Sequence, residues 1–276
     1  MSTISGTQFE QFCDLVRTNT AIVLEPGKEY LVESRLAPIA RRQGFDNVGE
    51  LLKKLGSTYA PALRDEVLDA MTTNETSFFR DLHPWETLKT EILPELIKSR
   101  SATRQLTIWC AACSSGQEPY SLALLMAEEF PNEFQSWDLR IIATDISPSM
   151  IRRCAEGTFS QLEVNRGLPA AMLARYFTRR GLNFVADDSL RRVIEVRHAN
   201  LDALPPVSQL GGFDLVIVRN VLIYFDDIVK KRIVESVHSR MRSTGVLLLG
   251  STEFAAVNGT PFVRVQSDKT TYFRPR

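Results

Sequence analysis

The sequence predicts an α/β protein in which a helical region precedes a doubly wound parallel sheet that ends in an antiparallel hairpin. Three observations support this prediction. No strand-like alternation occurs before residue 104, and short β-rich runs alternate with helical segments after it. The chain then ends in PFVRVQSDKTTYFRPR, two strand-like runs around a polar turn. Strands that alternate with helices imply a parallel sheet covered on both faces.

The first part of the chain, residues 1–72, is expected to be an all-helical domain. Apolar residues recur at helical spacing in FEQFCDLVRT, and a second helix is expected over about residues 26–43, between Pro26 and Gly44. VGELLKKLG and YAPALRDEVLDAMTT have the pattern of two further helices. Residues 73–104 are expected to form a linker and a connecting helix, HPWETLKTEILPELIKSR.

Residues 105–276 carry the predicted sheet. LRIIATD and FDLVIVRNV are almost continuously apolar, as strands buried on both faces should be. Residues 157–192 interrupt the alternation and are expected to form a small antiparallel insertion. The strand candidates are QLTIWCA, LRIIATD, VIEVRHAN, FDLVIVRNV and VLLLGST, and the helix candidates are PYSLALLMAEEF, PSMIRRCAEG and DDIVKKRIVESVHSRMR.

Composition and charge argue against several classes of protein. Lys+Arg and Asp+Glu are balanced at 33 each, so no net charge favours nucleic acid or an anionic membrane. No segment approaches the ~20 apolar residues of a membrane span, and MSTISGTQFEQF lacks the features of a signal peptide. Four cysteines are too few for a disulfide scaffold. We therefore expect a reduced, cytoplasmic, globular protein, with a monomer as the default.

The turn ACSSGQ, after the first predicted strand, is the first candidate for ligand binding. In an open parallel sheet, ligands bind beyond the carboxyl ends of the strands. Small residues let the backbone approach a ligand, and the following helix N-terminus offers free N–H groups. Pro119 at the first helical position would place Glu118 at or next to the cap. The single glycine, Gly116, departs from G-x-G-x-x-G, which counts against NAD or FAD.

Asp145 ends the second predicted strand and could accept hydrogen bonds from both hydroxyls of a ribose. An aspartate that caps the helix of DISPSM explains this residue nearly as well. A ligand with a ribose and no pyrophosphate fits S-adenosylmethionine. A doubly wound sheet that ends in an antiparallel hairpin also fits class I methyltransferases better than dinucleotide dehydrogenases.

Cys110 and Cys113 form a C-x-x-C pair in the same turn. In thioredoxin-like redox sites the helix follows the pair directly, whereas SSGQEP intervenes here. A zinc site needs about four ligands, and the sequence offers no second C-x-x-C or H-x-H partner, so no metal is expected. Buried small side chains that line the turn are the preferred interpretation.

Polar residues also follow later strands. Arg219 and Asn220 end an apolar run, where polar groups face the cleft rather than the core, and Tyr224 follows in the loop or helix start. Asn200, at the end of VIEVRHAN, could read an adenine edge.

The segment TTNETSFFRD, residues 72–81, links the helical region to the sheet. Its polar residues Asn74, Thr76 and Arg80 flank an apolar Phe pair. A lid over the ligand and a docking joint between domains are both consistent with this composition.

Cations recur along the second predicted helix. Lys28, Arg35 and Arg42 are spaced by sevens, and Arg41 lies beside the last of them. Seven residues are nearly two turns, so these side chains lie roughly along one face. The face is either solvated or a docking surface for an acidic partner.

Four motifs in order, TNETSFFRD, AACSSGQEPYSLA, ATDIS and RNVLIYFD, resemble the chemotaxis receptor glutamate O-methyltransferase (CheR) family over nearly the whole chain. The resemblance implies a class I methyltransferase fold that binds S-adenosylmethionine. It implies methyl transfer to glutamate side chains of chemoreceptors, which gives glutamyl methyl esters and S-adenosylhomocysteine. No nucleic acid and no direct membrane insertion are expected.

The resemblance also implies roles for individual residues. Tyr224 would lie near the transferring methyl group. We further predict that Arg80, Arg219, Asn220 and Tyr224 position the reactants and that none of them acts as a general base. The second helix would dock on the helical cytoplasmic region of the receptor through four cations, Lys28, Arg35, Arg41 and Arg42. The implied cofactor contacts are Asn74, Thr76, Arg80, Glu118, Asp145, Asn200, Leu201, Arg219 and Asn220.

One segment departs from the family pattern. In some members the inserted subdomain grips a tethering peptide of the receptor through a longer Gly-containing loop, and TRRGLNFVADDSLRR is short there. We therefore expect the protein to contact the substrate helix of the receptor directly, without binding a tethering peptide. Two alternatives remain open at this point: a sensory module that binds the cofactor without catalysis, and a methyltransferase for another protein carboxylate.

Overall fold

The computed structural model describes residues 4–57, 60–209, 211–268 and 270–276. The chain divides into two compact units, a helical unit (Met1–Thr73 with Tyr224–Val229) and a sheet unit (Asn74–Ile223 with Lys230–Arg276). Residues 224–229, which the sequence analysis grouped with the sheet, thus belong to the helical unit by their contacts. Among the described residues, no helix combines the length and apolarity that a bilayer crossing requires.

The helical unit confirms the predicted all-α region. A capping box starts its first helix, because the Ser5 hydroxyl accepts from the Gln8 amide and the Gln8 side chain accepts from the Ser5 amide. The second helix begins three residues later than Pro26, since Gly27 forms a turn at φ +86°. The helices are α1 Gly6–Thr20, α2 Glu29–Arg42, α3 Val48–Ser57 and α4 Pro61–Met71.

The apolar faces of these four helices share one core. Phe12 and Val16 of α1 pack with Val32 and Leu36 of α2 and with Leu51 of α3. The spacing of three or four residues within each helix puts these side chains on one face, which is the pattern that predicted the helices.

The elements after residue 74 follow the predicted alternation. The helical segments are α5 Leu82–Thr87, a π-helical turn Leu88–Ile92, α6 Leu93–Arg100, α7 Gln117–Glu129, α8 Pro131–Ser136, α9 Pro148–Glu156, α10 Gln161–Val164, α11 Ala170–Tyr176, α12 Asp188–Arg191, α13 Asp227–His238 and the 3₁₀ turns Leu222–Tyr224 and Phe254–Val257. The strands are β1 Gln105–Ala111, β2 Asp138–Asp145, β3 Thr158–Ser160, β4 Phe177–Arg180, β5 Asn183–Ala186, β6 Ile194–His198, β7 Phe213–Val218, β8 Met241–Leu249, β9 Phe262–Gln266 and β10 Thr271–Pro275.

The main sheet has the strand order β6-β2-β1-β7-β8-β10-β9. The first five strands are parallel, and β10 and β9 add an antiparallel hairpin at one edge. The order reverses between β1 and β7, which is the point where ligands bind in doubly wound sheets. The predicted class I methyltransferase-like fold is therefore confirmed.

The register aligns the carboxyl ends of the parallel strands. Ala111, the last residue of β1, lies opposite Thr144 of β2 and Val218 of β7. Val218 in turn lies opposite Leu249, the last residue of β8. The segments that leave β1, β2, β7 and β8 therefore emerge along one edge of the sheet.

The predicted connecting helix over residues 83–100 is one helical segment with a π-helical turn in its middle. Pro94 lies at the start of α6, directly after this turn. Proline has no N–H for the carbonyl four residues earlier and its ring clashes with it, so a wider turn at this point accommodates it. The short helix α8 was not predicted.

Residues 157–192 contain a second sheet, as predicted. It is antiparallel, with the order β3-β5-β4, and short helices flank its strands. We refer to residues 157–192 as the insertion.

Candidate functional site

The turn after β1 has an unusual backbone. Ala112, Ser114 and Gly116 all have positive φ, at 56°, 50° and 103°. Such values are rare for residues other than glycine and persist where the surroundings determine them. At Gly116, a Cβ would lie 2.9 Å from Cys154 Sγ, so only glycine fits. Gly116 is the N-cap of α7, so Glu118 is the second residue of the helix, two positions after the cap rather than at or next to it as predicted.

Asp145 joins the ends of β1 and β2. Its two carboxylate oxygens accept hydrogen bonds from the amides of Ser114 (2.8 Å) and Ser147 (2.9 Å). Ser147 caps α9 through its own hydroxyl, which accepts from the Met150 amide. The alternative in which Asp145 caps this helix is therefore wrong. Asp145 is instead a buried carboxylate fixed at the carboxyl edge of the sheet, on the strand next to the switch point.

The segment 74–81 begins next to this turn. We call it the cofactor loop because it contains three of the predicted cofactor contacts, Asn74, Thr76 and Arg80. The Ser114 hydroxyl donates to the Asn74 carbonyl at 2.9 Å. Thr76 lies further along the same loop and is half-buried. The loop thus starts beside the residue whose amide binds Asp145.

The end of the cofactor loop is held by α5 and α7. Trp85 Nε1 donates to the Arg80 carbonyl, and the Phe79 amide donates to the Ser121 hydroxyl, both at 2.9 Å. Phe79 and Asp81 have positive φ, at 47° and 57°. These contacts hold the backbone in a strained conformation, in the segment for which the sequence predicted either a lid over the ligand or a docking joint between domains.

Arg219, directly after β7, connects the loop to α7. Its Nη2 atom donates to Asp81 Oδ2 at 2.8 Å and to the Arg80 carbonyl at 3.0 Å, and Nη1 lies 3.4 Å from Glu118 Oε2. The side chain is only 3% exposed. Its Nε atom is buried without a partner among the described residues. A buried donor without an acceptor costs roughly 1–3 kcal/mol, so this atom fits a site that a polar ligand completes.

Glu118 is a largely buried acid beside two cations. Burial raises the pKa of Glu118, and the nearby charges of Arg219 and Arg80 oppose that shift. A ligand that brings an ammonium group would favour the ionised carboxylate.

Two predicted residues flank Asp145 from β6. The Ala199 amide donates to the Asp145 carbonyl at 3.0 Å, which places Asn200 and Leu201 beside the end of β2. Leu201 is buried, and the Asn200 side-chain oxygen accepts from the Asp202 amide at 3.0 Å.

Glu253 is a residue that the sequence analysis missed. It is 4% exposed, and its carboxylate accepts from four backbone amides at 2.6–2.9 Å. These bonds hold Asn220 at φ +59° and end β7 at Val218, before the end of the apolar run FDLVIVRNV. The sequence did contain one signal for this residue, because Glu253 is a charged residue directly after the predicted apolar strand VLLLGST. The four amides belong to Gly250, Asn220, Val221 and Leu222.

Tyr224 and the four cations of α2 belong to the helical unit. The Tyr224 carbonyl accepts from the Val23 amide at 3.0 Å. Lys28 is the N-cap residue of α2, Arg41 is exposed, and Arg42 pairs with Glu66. Their predicted roles in catalysis and docking stay predictions.

Arg35 differs from the other three cations. Its guanidinium donates to the carbonyls of Met71 (2.6 Å) and Thr72 (3.1 Å) and to the Thr73 hydroxyl (2.9 Å). Burial lowers the pKa of Arg35. The side chain thus caps the end of α4, which spacing along a helix could not show.

Cys110, Cys113 and Cys154 are buried free thiols. Burial raises the pKa of Cys110, and a hydrogen bond with Cys154 and burial raise that of Cys113. Nucleophilic and redox chemistry need the thiolate, which the surroundings of Cys110 and Cys113 disfavour. The thiols therefore pack beneath the turn, as the preferred interpretation held.

The polar groups fit a nucleoside that carries an amino acid. Asp145 offers a carboxylate to a diol, and Glu118 offers one to an ammonium. The guanidinium of Arg219 has a buried N–H without an acceptor among the described residues. S-Adenosylmethionine presents a diol, an ammonium and a carboxylate, so its chemistry matches this donor set.

We expect Glu253→Gln to loosen the segment 219–222. The amide NH₂ of glutamine would face backbone N–H groups that now have an acceptor, at a cost of about 2 kcal/mol or more in the free energy of unfolding. Urea unfolding should show this loss, and calorimetry should show weaker binding of S-adenosylhomocysteine. Glu235→Gln, on the exposed side of α13, is the control and should change neither quantity. Unchanged stability of Glu253→Gln would contradict the assignment.

Comparison with known proteins gives matches along almost the whole chain. Family models described as "CheR methyltransferase, SAM binding domain" and "CheR methyltransferase, all-alpha domain" match residues 74–271 and 7–72. Chemotaxis protein methyltransferase Cher2 of Pseudomonas putida is 42% identical, with 95% of this chain and 94% of the relative covered. Chemotaxis protein methyltransferase 1 of Pseudomonas aeruginosa is 41% identical, with 93% of each covered.

These matches agree with the site, which offers the donor set that S-adenosylmethionine requires. The chain is an S-adenosylmethionine-dependent methyltransferase and belongs to the CheR methyltransferase family.

Proposed function

We propose that this methyltransferase acts in chemotaxis by methylating glutamate side chains of chemoreceptors, which forms glutamyl methyl esters and S-adenosylhomocysteine in the cytoplasm. The names of its relatives support the role in chemotaxis. The motif resemblance supplies the receptor glutamate as the acceptor. The observation that carries the proposal lies at the carboxyl edge of the sheet, where Asp145 binds the turn after β1 and Arg219 lies 3.4 Å from Glu118 of α7, the helix that follows this turn.

In this proposal, charge complementarity assigns parts of the cofactor to residues. Asp145 takes the ribose diol, and Asn200 and Leu201 border the adenine. Glu118 takes the ammonium and Arg80 the carboxylate. The bound sulfonium supplies an electrophilic methyl group with a good leaving group. The remaining proposed contacts are Asn74, Thr76, Arg219 and Asn220.

The acceptor needs no general base. A glutamate with a pKa of about 4.3 is already ionised at pH 7. The contribution of the chain is therefore alignment, which supplies up to ~7–11 kcal/mol in favourable cases. Arg219 contributes by fixing the Arg80 carbonyl and Asp81. Tyr224 is proposed to lie near the transferring methyl group.

The proposed receptor contact is the basic face of α2. Lys28, Arg41 and Arg42 would meet acidic side chains of the receptor's helical region. Arg35 is proposed to act there too, although its guanidinium already binds the end of α4.

Methyl transfer is tested with tritiated S-adenosylmethionine and membranes that contain chemoreceptors. We expect alkali-labile release of labelled methanol, the signature of a methyl ester, and none from receptors whose acceptor glutamates are replaced by alanine. Binding of S-adenosylhomocysteine without methanol release would indicate a sensory module. Methanol release from other proteins alone would indicate a different protein carboxylate as substrate.

We expect Tyr224→Phe to lower turnover more than cofactor affinity, because the hydroxyl is assigned to the reacting groups rather than to cofactor binding. Calorimetry with S-adenosylhomocysteine and single-turnover methylation separate the two effects. Tyr176→Phe removes a hydroxyl outside the proposed site and is the control. A collapse of affinity with normal single-turnover methylation in the saturated complex would contradict the assignment of Tyr224.

We expect the affinity for S-adenosylhomocysteine to fall as the pH is lowered through the pKa of Glu118, because only the ionised carboxylate pairs with the ammonium. Since burial raises this pKa, ionised Glu118 destabilises the free protein at neutral pH, and the destabilisation lessens as the pH falls. Glu118→Gln should therefore bind more weakly at pH 8, with a flatter pH profile, while the free variant melts no lower than the wild type. An unchanged pH profile in the variant would exclude Glu118 as the ammonium partner.

A further inference from the structure

The insertion holds one side chain of the cofactor loop in its core. Phe78 is fully buried, and its ring makes edge-on contacts with Phe159 (4.9 Å between centroids) and Phe177 (6.0 Å). The Phe78 amide donates to the Arg166 carbonyl at 3.1 Å. Arg166 also forms an ion pair with Glu75 at 3.0 Å. Ring packing, a backbone hydrogen bond and a charge pair thus join the loop to the insertion.

Gly167 allows the closest of these approaches. Its φ is +89°, and a Cβ built there would lie 2.0 Å from the Phe78 carbonyl oxygen. The obstacle is backbone rather than a flexible side chain, so any other residue must displace the loop or the insertion. The loop and the insertion therefore meet backbone to backbone.

The insertion also reaches the turn after β1. Glu163 of α10 accepts from Arg153 and from the amide and hydroxyl of Ser160, and Gln117 Nε2 lies 3.4 Å from its Oε1 atom. Gln117 is the first residue of α7, next to Glu118, and it accepts from the Ser115 hydroxyl at 2.8 Å. Contacts from the insertion thus extend to two of the segments that carry proposed cofactor contacts, the cofactor loop and the start of α7.

We propose that the insertion is a positioning element for the cofactor, and that Phe78 and Gly167 are the positioning residues through which it acts. The cofactor loop carries Asn74, Thr76 and Arg80, and its backbone has positive φ at Phe79 and Asp81. A strained backbone persists only where its surroundings fix it. The insertion supplies that constraint on the side of Phe78. The inference rests on the proposed cofactor contacts of this loop and not on the identity of the methyl acceptor.

Two glycines of the insertion provide a matched pair of variants. Gly167 and Gly181 both have positive φ, at 89° and 61°. A Cβ at Gly181 would meet no atom within 4 Å, whereas a Cβ at Gly167 would meet the Phe78 backbone. Gly167→Ala and Gly181→Ala thus share the strain of positive φ, and only the first displaces the cofactor loop.

The experiment measures the Kd of S-adenosylhomocysteine by calorimetry, with KM and kcat for methyl transfer and the melting temperature of each variant. We expect Gly167→Ala to raise Kd and the KM for S-adenosylmethionine by about tenfold or more. Gly181→Ala should keep both within about twofold. Equal losses in the two variants, or a wild-type Kd in folded Gly167→Ala, would overturn the proposal.

Phe78 gives a second measurement that does not depend on the folding of Gly167→Ala. Phe78→Ala should weaken binding of S-adenosylhomocysteine, and Phe78→Leu should restore much of it, because leucine refills most of the apolar site. Wild-type affinity in Phe78→Ala would overturn the proposal. Binding is measured without an acceptor, so a wild-type protein that binds S-adenosylhomocysteine but methylates no receptor would refute the proposed function and leave this inference intact.

Discussion

Backbone amides that leave the carboxyl edge of the sheet need acceptors, and two buried carboxylates supply them. Asp145 binds two amides across the ends of β1 and β2, and Glu253 binds four across the ends of β7 and β8. Hydrogen bonds to charged groups are stronger than neutral ones and give the loops one conformation. The site depends on these hydrogen bonds, because they fix the backbone at Asn220 and so the position of the neighbouring Arg219.

The charges above this edge form a second layer that is incomplete in the free protein. Arg219 Nε is buried without a partner among the described residues, and burial raises the pKa of Glu118. Both features cost free energy, and both are relieved by a ligand with an ammonium and a carboxylate. Stability is thus given up at the place where the cofactor is proposed to bind, as is common at functional sites.

The sequence was informative where a signal lies within one element. Apolar runs predicted all five parallel strands, and the motifs led to Asp145 and Arg219. Glu253 escaped because its partners are backbone amides of a distant segment. The close contact between the backbones of Phe78 and Gly167 was not predicted, because such a contact leaves no periodic pattern in the sequence. The capping of α4 by Arg35 was not predicted, because helical spacing shows which face of a helix a side chain lies on but not which atoms it contacts.

Residues 224–229 affect how chimeras between members of the family should be designed. In the sequence, this hexapeptide lies between residues of the sheet unit, yet it belongs to the helical unit. The Val23 amide donates to the Tyr224 carbonyl, and Arg17 forms an ion pair with Asp226. A chimera that swaps only the N-terminal domain would therefore separate the hexapeptide from the helical residues that it contacts. The helical unit is discontinuous in the sequence, so a graft that keeps it intact must carry both segments.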